Sequence, residues 1–268
     1  MRLAPLPLLI ATLLAPAVTA TAQTPNRAGQ VQADDIIDRM TKSERAVLER
    51  LRTSRPLMEV YIQSVEPDEA RGWVPVDDNY FLGQLNVDDE PTLRPFGLKA
   101  RKEQAGVKVH TLSNPANVGD ALAAMVAPDW QGLERKRYEF TFVRREFLGE
   151  SRTFVFDVRP LRKTREGFVG RIWIEDRDYN LVRFNGAIGG SERTLSGWLK
   201  RSLSFHMDGW RVNVAPGVWV PSYVYSEETD LNSEPSSKSS KSKRQARFKS
   251  QTRIWGYEAQ NADRTDAL

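Results

Sequence analysis

The hydrophobic positions of this chain change their period near residue 57. Between Asp34 and Thr53 (DDIIDRMTKSERAVLERLRT), Ile36, Ile37, Met40, Val47, Leu48 and Leu51 recur at roughly helical spacing, which predicts a helical segment with one apolar face. Thr41 and Glu44 have the spacing of a capping box, which would divide the segment into two short helices joined at Thr41. From Leu57 the period becomes two. LMEVYIQSV and then WVPVDDNYFLGQL read as strands on either side of Pro67-Asp68. Residues 86–115 are polar and rich in turn formers, with VKVHTL (107–112) as a short strand candidate. The small-residue core of GDALAAMV predicts a helix over Val118 to Val126, closed by Pro128.

Beyond Arg137 the chain is a series of strands. KRYEFTFVRREFL and SRTFVFDVRPL flank Gly149-Glu150-Ser151, and FVGRIWIE and NLVRFNGAI flank an acidic knot at 175–178. RSLSFHM, VWVPSYVYSEE and ARFKSQTRIWGYE follow. Strands joined by short polar turns, without intervening helices, pair antiparallel. Alternation gives them a strongly apolar side: Tyr138, Phe140 and Phe142 share one face of their strand, Phe154 and Phe156 of the next, and Ile172 and Ile174 of the third. The opposite side is mixed. A wide curved sheet with few short helices leaves apolar face uncovered, and such a face is where an apolar ligand binds. These seven residues are therefore the candidate lining of an apolar cavity; the competing reading is an ordinary packed core.

Two positions resist the pattern. VWVPSYVY is apolar on both faces, as a central strand is, yet Pro221 has no amide hydrogen for a ladder and so marks a bulge or a covered edge. Asp208-Gly209 is the dipeptide of a tight hairpin, and a bulged continuous strand or a loop reads the same.

Chemistry of other kinds is hard to place. Glu175-Asp176-Arg177-Asp178 lies between two alternating strands, is made of residues that cap their own backbone, and has no internal glycine for a calcium-loop bend. It reads as a turn. The other acidic clusters stand in turn-like stretches beside proline or glycine, and the two histidines, His110 and His206, lack ligand spacing. No nucleophile elbow, phosphate loop or dinucleotide fingerprint is present. The expectation is a protein without metal, without cofactor and without a catalytic constellation.

The chain opens with Arg2, an apolar run from Leu6 to Val18, and small residues at Ala20 and Ala22. That is the layout of a signal peptide cleaved after Ala22. Residues 1–22 as signal peptide, 23–258 as one β-rich domain and 259–268 as a polar tail give the domain plan. Loss of Arg2 lowers the formal charge from +4 to +3. Much of the basic excess lies in a Ser/Lys loop at about 232–247, which lacks the exposed stacking aromatics of a nucleic-acid patch. It reads as a flexible loop able to meet an anionic membrane surface. With no cysteine, disulfides and lipidation of an N-terminal cysteine are excluded.

Three stretches, FVFDVRPLRKTREGFVGRIWIEDRDYNLVRFNG (154–186), GVWVPSYVY (217–225) and FKSQTRIWGYE (248–258), resemble the outer-membrane lipoprotein-sorting and carrier proteins of the LolA, LolB and RseB type. The resemblance covers roughly 137–258. It implies an unclosed antiparallel β-barrel capped by helices, with an apolar cavity for acyl chains. The expected class is therefore α+β: a curved antiparallel sheet or unclosed barrel with a few covering helices. The expected function is periplasmic carriage or sensing of an acyl chain or a lipoprotein anchor, the alternative being a non-catalytic structural or interaction module.

Overall fold

A computed structural model describes residues 27–97, 118–161, 166–193, 199–201, 205–228 and 247–257. Helix α1 (Arg27–Ser54) leads into β1 (Leu57–Asp68), β2 (Gly72–Val87) and β3 (Pro91–Pro95); a short helix α2 (Val118–Ala124) precedes the second group. That group comprises β4 (Tyr138–Leu148), β5 (Ser151–Pro160), β6 (Glu166–Glu175), β7 (Leu181–Arg193), β8 (Leu199–Arg201), β9 (Phe205–Ala215), β10 (Val218–Glu228) and β11 (Arg247–Trp255). Pairing is antiparallel throughout, in the order β3-β2-β1-β11-β10-β9-β7-β6-β5-β4, with β8 paired only to β7. The two ends of this path do not pair. The sheet still curls round a shared interior, because one apolar cluster runs from Leu93 on β3 to Tyr138 on β4. The expected unclosed antiparallel barrel is the architecture observed.

The alternation read from the sequence sets which side faces in. On β6, Phe168, Ile172 and Ile174 are fully buried while Val169 between them is exposed. One concave row runs from Phe81 on β2 through Val60, Thr252, Val224, Gly209, Phe184, Ile172 and Phe156 to Phe142 on β4.

Two local expectations change, and two positions left open are decided. The N-terminal segment is one continuous helix of 28 residues. Thr41 and Glu44 do not cap a second helix, because tertiary partners claim both side chains: the Thr41 hydroxyl donates to the Leu133 carbonyl at 2.8 Å, and Glu44 pairs with Arg211. The helix is long enough to lie across the concave face, so that face is covered more fully than short helices would allow. Next, Pro91–Pro95 inside the polar stretch forms edge strand β3, whose Leu93 turns inward; VKVHTL lies outside the described residues.

Asp208-Gly209 is not a hairpin. It sits within continuous β9, and the turn falls at Pro216-Gly217, where Gly217 takes a φ of 71° that favours glycine. Gly209 serves another purpose, since a Cβ there would stand 2.1 Å from the Phe184 ring on the neighbouring strand. The missing side chain is where that ring packs. Pro221 does lie in a central strand, at a register shift against β9 and before the β10–β11 ladder begins at Tyr223. The bulge removes the demand for its absent amide hydrogen.

Candidate ligand-binding face

The structure distributes the seven candidates along one side of β4, β5 and β6. Tyr138, Phe154, Phe156, Ile172 and Ile174 are buried in the main core, and Phe140 packs against it. Phe142 makes an edge contact with Phe156, their centroids 5.5 Å apart, but is 47% exposed. It stands on the edge strand just before a register shift between Phe142 and Arg144, so a neighbour covers only one flank. Tyr138 is held at its rim. Its hydroxyl donates to the Asp129 carboxylate and accepts the Phe168 amide at 3.3 Å. Burial first, and the Asp129 bond second, push this phenol well above its usual range.

The concave face packs against α2, the segment from Met125 to Leu133 and, with six buried apolar side chains, α1. Its buried side chains are Ile36, Ile37, Met40, Val47, Leu48 and Leu51, a stripe at the helical period. Full burial of one such side chain contributes about 1.5–3 kcal/mol. One charged group lies within the stripe. Glu44 receives both terminal nitrogens of Arg211 on β9, Nη1 to Oε2 at 2.7 Å and Nη2 to Oε1 at 2.6 Å, with each side chain 1% exposed. The Nε of Arg211 makes no hydrogen bond among the described residues. Ser43 donates to Asn180 next to this pair, and Arg45 bonds Glu134 on the preceding connection. Asp34 and Asp38, two turns earlier on α1, both bond Arg135 on that connection at 2.7–2.9 Å, so the side-chain bonds of α1 to the sheet and its turns come from Ser43 and Glu44 alone among the described residues. Sequence reasoning missed Arg211 and Glu44; a lone charge inside each apolar stripe was the available signal.

The acidic knot behaves as the turn it was read to be. Glu175 is buried and folds back, its carboxylate accepting the amides of Arg177 and Asp178 at 2.8 Å each, that of Asn180 at 3.1 Å, and the Asn180 side chain at 3.0 Å. Four donors converging on one carboxylate leave it little capacity for an ion. Among the described residues no group of three or more His, Asp or Glu is placed to hold a metal. His206 is described, half-buried on β9, while His110 and residues 232–246 of the basic loop lie outside the described residues, and Arg247 opens β11.

The convex side of the same strands is mixed, with arginines set among Trp173, Trp210 and a small buried apolar cluster of Val155, Trp173 and Val182. Across β11, β10, β9, β7, β6, β5 and β4 one row reads Arg253, Tyr223, Trp210, Arg183, Trp173, Val155, Arg144. The Arg183 guanidinium lies 4.2 Å from the Trp210 ring centroid and 4.7 Å from that of Trp173, while gripping Asp208 at 2.8 and 2.9 Å. A shallow groove of about 650 Å³ crosses this side, lined by Thr141, Asp157, Arg159, Arg171, Trp173 and Asn185 among others. None of the seven candidates lines it.

The geometry defines a class: an unclosed antiparallel barrel whose apolar interior packs against one long helix, a short second helix and the segment that follows it. No protein-family model matches the chain, and no curated protein matches it. Among solved structures it is similar to a LolA superfamily protein from Nitrosomonas europaea, with 13% identity, a TM-score of 0.36, and coverage of 78% of this chain and 90% of that one. It is also similar to a domain assigned as an outer membrane lipoprotein-sorting protein from Vibrio parahaemolyticus, with 7% identity, a TM-score of 0.33, and coverage of 81% and 91%. Among the described residues no helix is long and apolar enough to cross a membrane.

Proposed function

We propose that the protein is an exported carrier or sensor that holds an acyl chain, or the lipid anchor of another protein, on its concave face when α1 moves aside. The observation that carries this reading is the relation of α1 to the sheet. Helix α1, with α2 and the segment after it, covers an apolar, aromatic face that the strands leave unclosed; its side-chain bonds to the sheet and its turns come from Ser43 and Glu44, while Asp34, Asp38, Thr41 and Arg45 bond the 133–135 connection. Burying one methylene is worth about 0.8 kcal/mol, so an acyl chain can replace the helix's side chains without a polar signature of its own. The seven residues on β4, β5 and β6 are the proposed lining. Export rests on the order of charge, apolar run and small residues in 1–22; protein recovered from the periplasm should begin at or near Gln23.

The test is native mass spectrometry of protein purified without detergent, followed by organic extraction. Co-purifying lipid, lost when Phe140 or Phe156 is replaced by Asp without unfolding, is the expected result. A disulfide between Ser43→Cys and Asn180→Cys, in a chain that has no other cysteine, should block loading until reduced. Protein that is empty, takes up no apolar dye and unfolds on those changes would overturn the reading in favour of an interaction module with a fully packed core. The complete burial of Phe156, Ile172 and Ile174 in the main core is the observation on that side.

A further inference from the structure

We propose that Arg211 is the receiving site for the anionic head of an amphiphile, and that Glu44 occupies it as a built-in stand-in while α1 is in place. The proposal rests on the carrier reading and narrows its ligand to a carboxylate or phosphate carried on an apolar chain. Towards the sheet, α1 presents an apolar stripe and one carboxylate. That combination has the chemical profile of a fatty acid. The carboxylate meets Arg211 through two parallel bonds of 2.6 and 2.7 Å, the fork geometry by which a guanidinium takes any carboxylate or phosphate.

The surroundings of Arg211 fit a site that exchanges one anion for another. Arg211 follows Phe205, Met207 and Gly209 on the inward side of β9, so its charge stands at the end of the apolar rows. It pairs in register with Pro221, whose carbonyl accepts the Tyr257 hydroxyl. Its third nitrogen, Nε, is buried and unbonded among the described residues, which leaves a donor free for a head group with more oxygens than a carboxylate has. A buried guanidinium stripped of Glu44 would be costly. A neutral amphiphile displacing α1 would leave that cost unmet, whereas an anionic one would not.

The test compares the full-length protein with dodecanoate, dodecanol and acetate, by isothermal titration calorimetry. Glu44→Gln weakens the internal competitor and leaves the site charged. It should tighten dodecanoate and dodecanol by the same factor, about tenfold, since the competent population rises for both. The paired variant Glu44→Met with Arg211→Met keeps the interior apolar and folded. There the preference for dodecanoate over dodecanol should vanish while chain binding persists. Acetate should not compete. Retention of the dodecanoate preference in the paired variant, or no gain for either chain compound in Glu44→Gln, would overturn the proposal and leave the carrier reading intact. Acetate competing as strongly as dodecanoate would replace it with a chainless anion site. If neither chain compound binds any form of the protein, the carrier reading falls and this proposal with it.

Discussion

Two arginines on neighbouring strands each grip one carboxylate with two nitrogens, yet they occupy opposite sides of the sheet. Arg211 with Glu44 faces in, each side chain 1% exposed, and ties the sheet to α1. Arg183 with Asp208 faces out, at 23% and 22%, sandwiched between Trp173 and Trp210. Contact distances are nearly the same, 2.6–2.7 Å inside and 2.8–2.9 Å outside; solvent is not. On the inside, each charge has lost its water and depends on the other. On the outside, water and two indole faces share the load, so either partner can be lost at small cost.

The largest effect should follow from opening the inner pair on one side only. Glu44→Ala leaves a buried guanidinium without its partner and should cost about 3–5 kcal/mol in urea unfolding. Replacing both members by Met should restore most of that loss. If the double change is as damaging as the single one, the inner pair holds the helix through something other than charge compensation.

Next comes the packing on which the inner face depends. Gly209→Ala forces a methyl into the space of the Phe184 ring and should cost about 1–3 kcal/mol. In a Phe184→Leu background the same change should cost less than half as much, because the colliding ring is gone. Strictly additive losses would mean that the glycine is needed for backbone reasons instead.

Alkaline pH probes the rim. Burial raises the Tyr138 phenol, so the folded state holds its proton more tightly than the unfolded chain does. That contribution is complete below the ordinary tyrosine value of about 10 and is lost as pH rises beyond it. The fall should be shallower in Tyr138→Phe, which at neutral pH gives up about 1 kcal/mol with the Asp129 bond. Identical slopes for wild type and variant above pH 10 would sink the assignment; Tyr225 and Tyr257, also raised mainly by burial, would then account for the slope.

Smallest is the outer pair. Asp208→Asn should change stability by about 0–1 kcal/mol and respond to salt. A loss as large as that of Glu44→Ala would erase the contrast between the two faces.

How much of this could be read from the chain differs by feature. The strands from β4 to β7 were legible because alternation and turn residues are local, and so was the Glu175 turn, whose carboxylate caps amides two to five residues away. The candidate lining was legible as a face of each strand but not as covered or open. Phe142 shows why: alternation puts it inward, and only its place on an edge strand leaves it half in solvent. β3 escaped notice because a five-residue edge strand bounded by prolines carries a single inward apolar residue, Leu93.

By itself the sequence determined the period-two texture, the antiparallel pairing of successive strands, the side of each strand that seeks burial, and an apolar helical stripe ahead of them. Those follow from interactions within a few residues. The tertiary structure alone decided that β11 lies between β1 and β10, joining the two strand groups into one sheet. It turned Asp208-Gly209 into strand rather than hairpin, because the Phe184 ring of another strand needs that space. It also made Glu44 the partner of a residue 167 positions away. Each of these depends on which distant surfaces meet, and local pattern carries no information about a partner that only folding brings near.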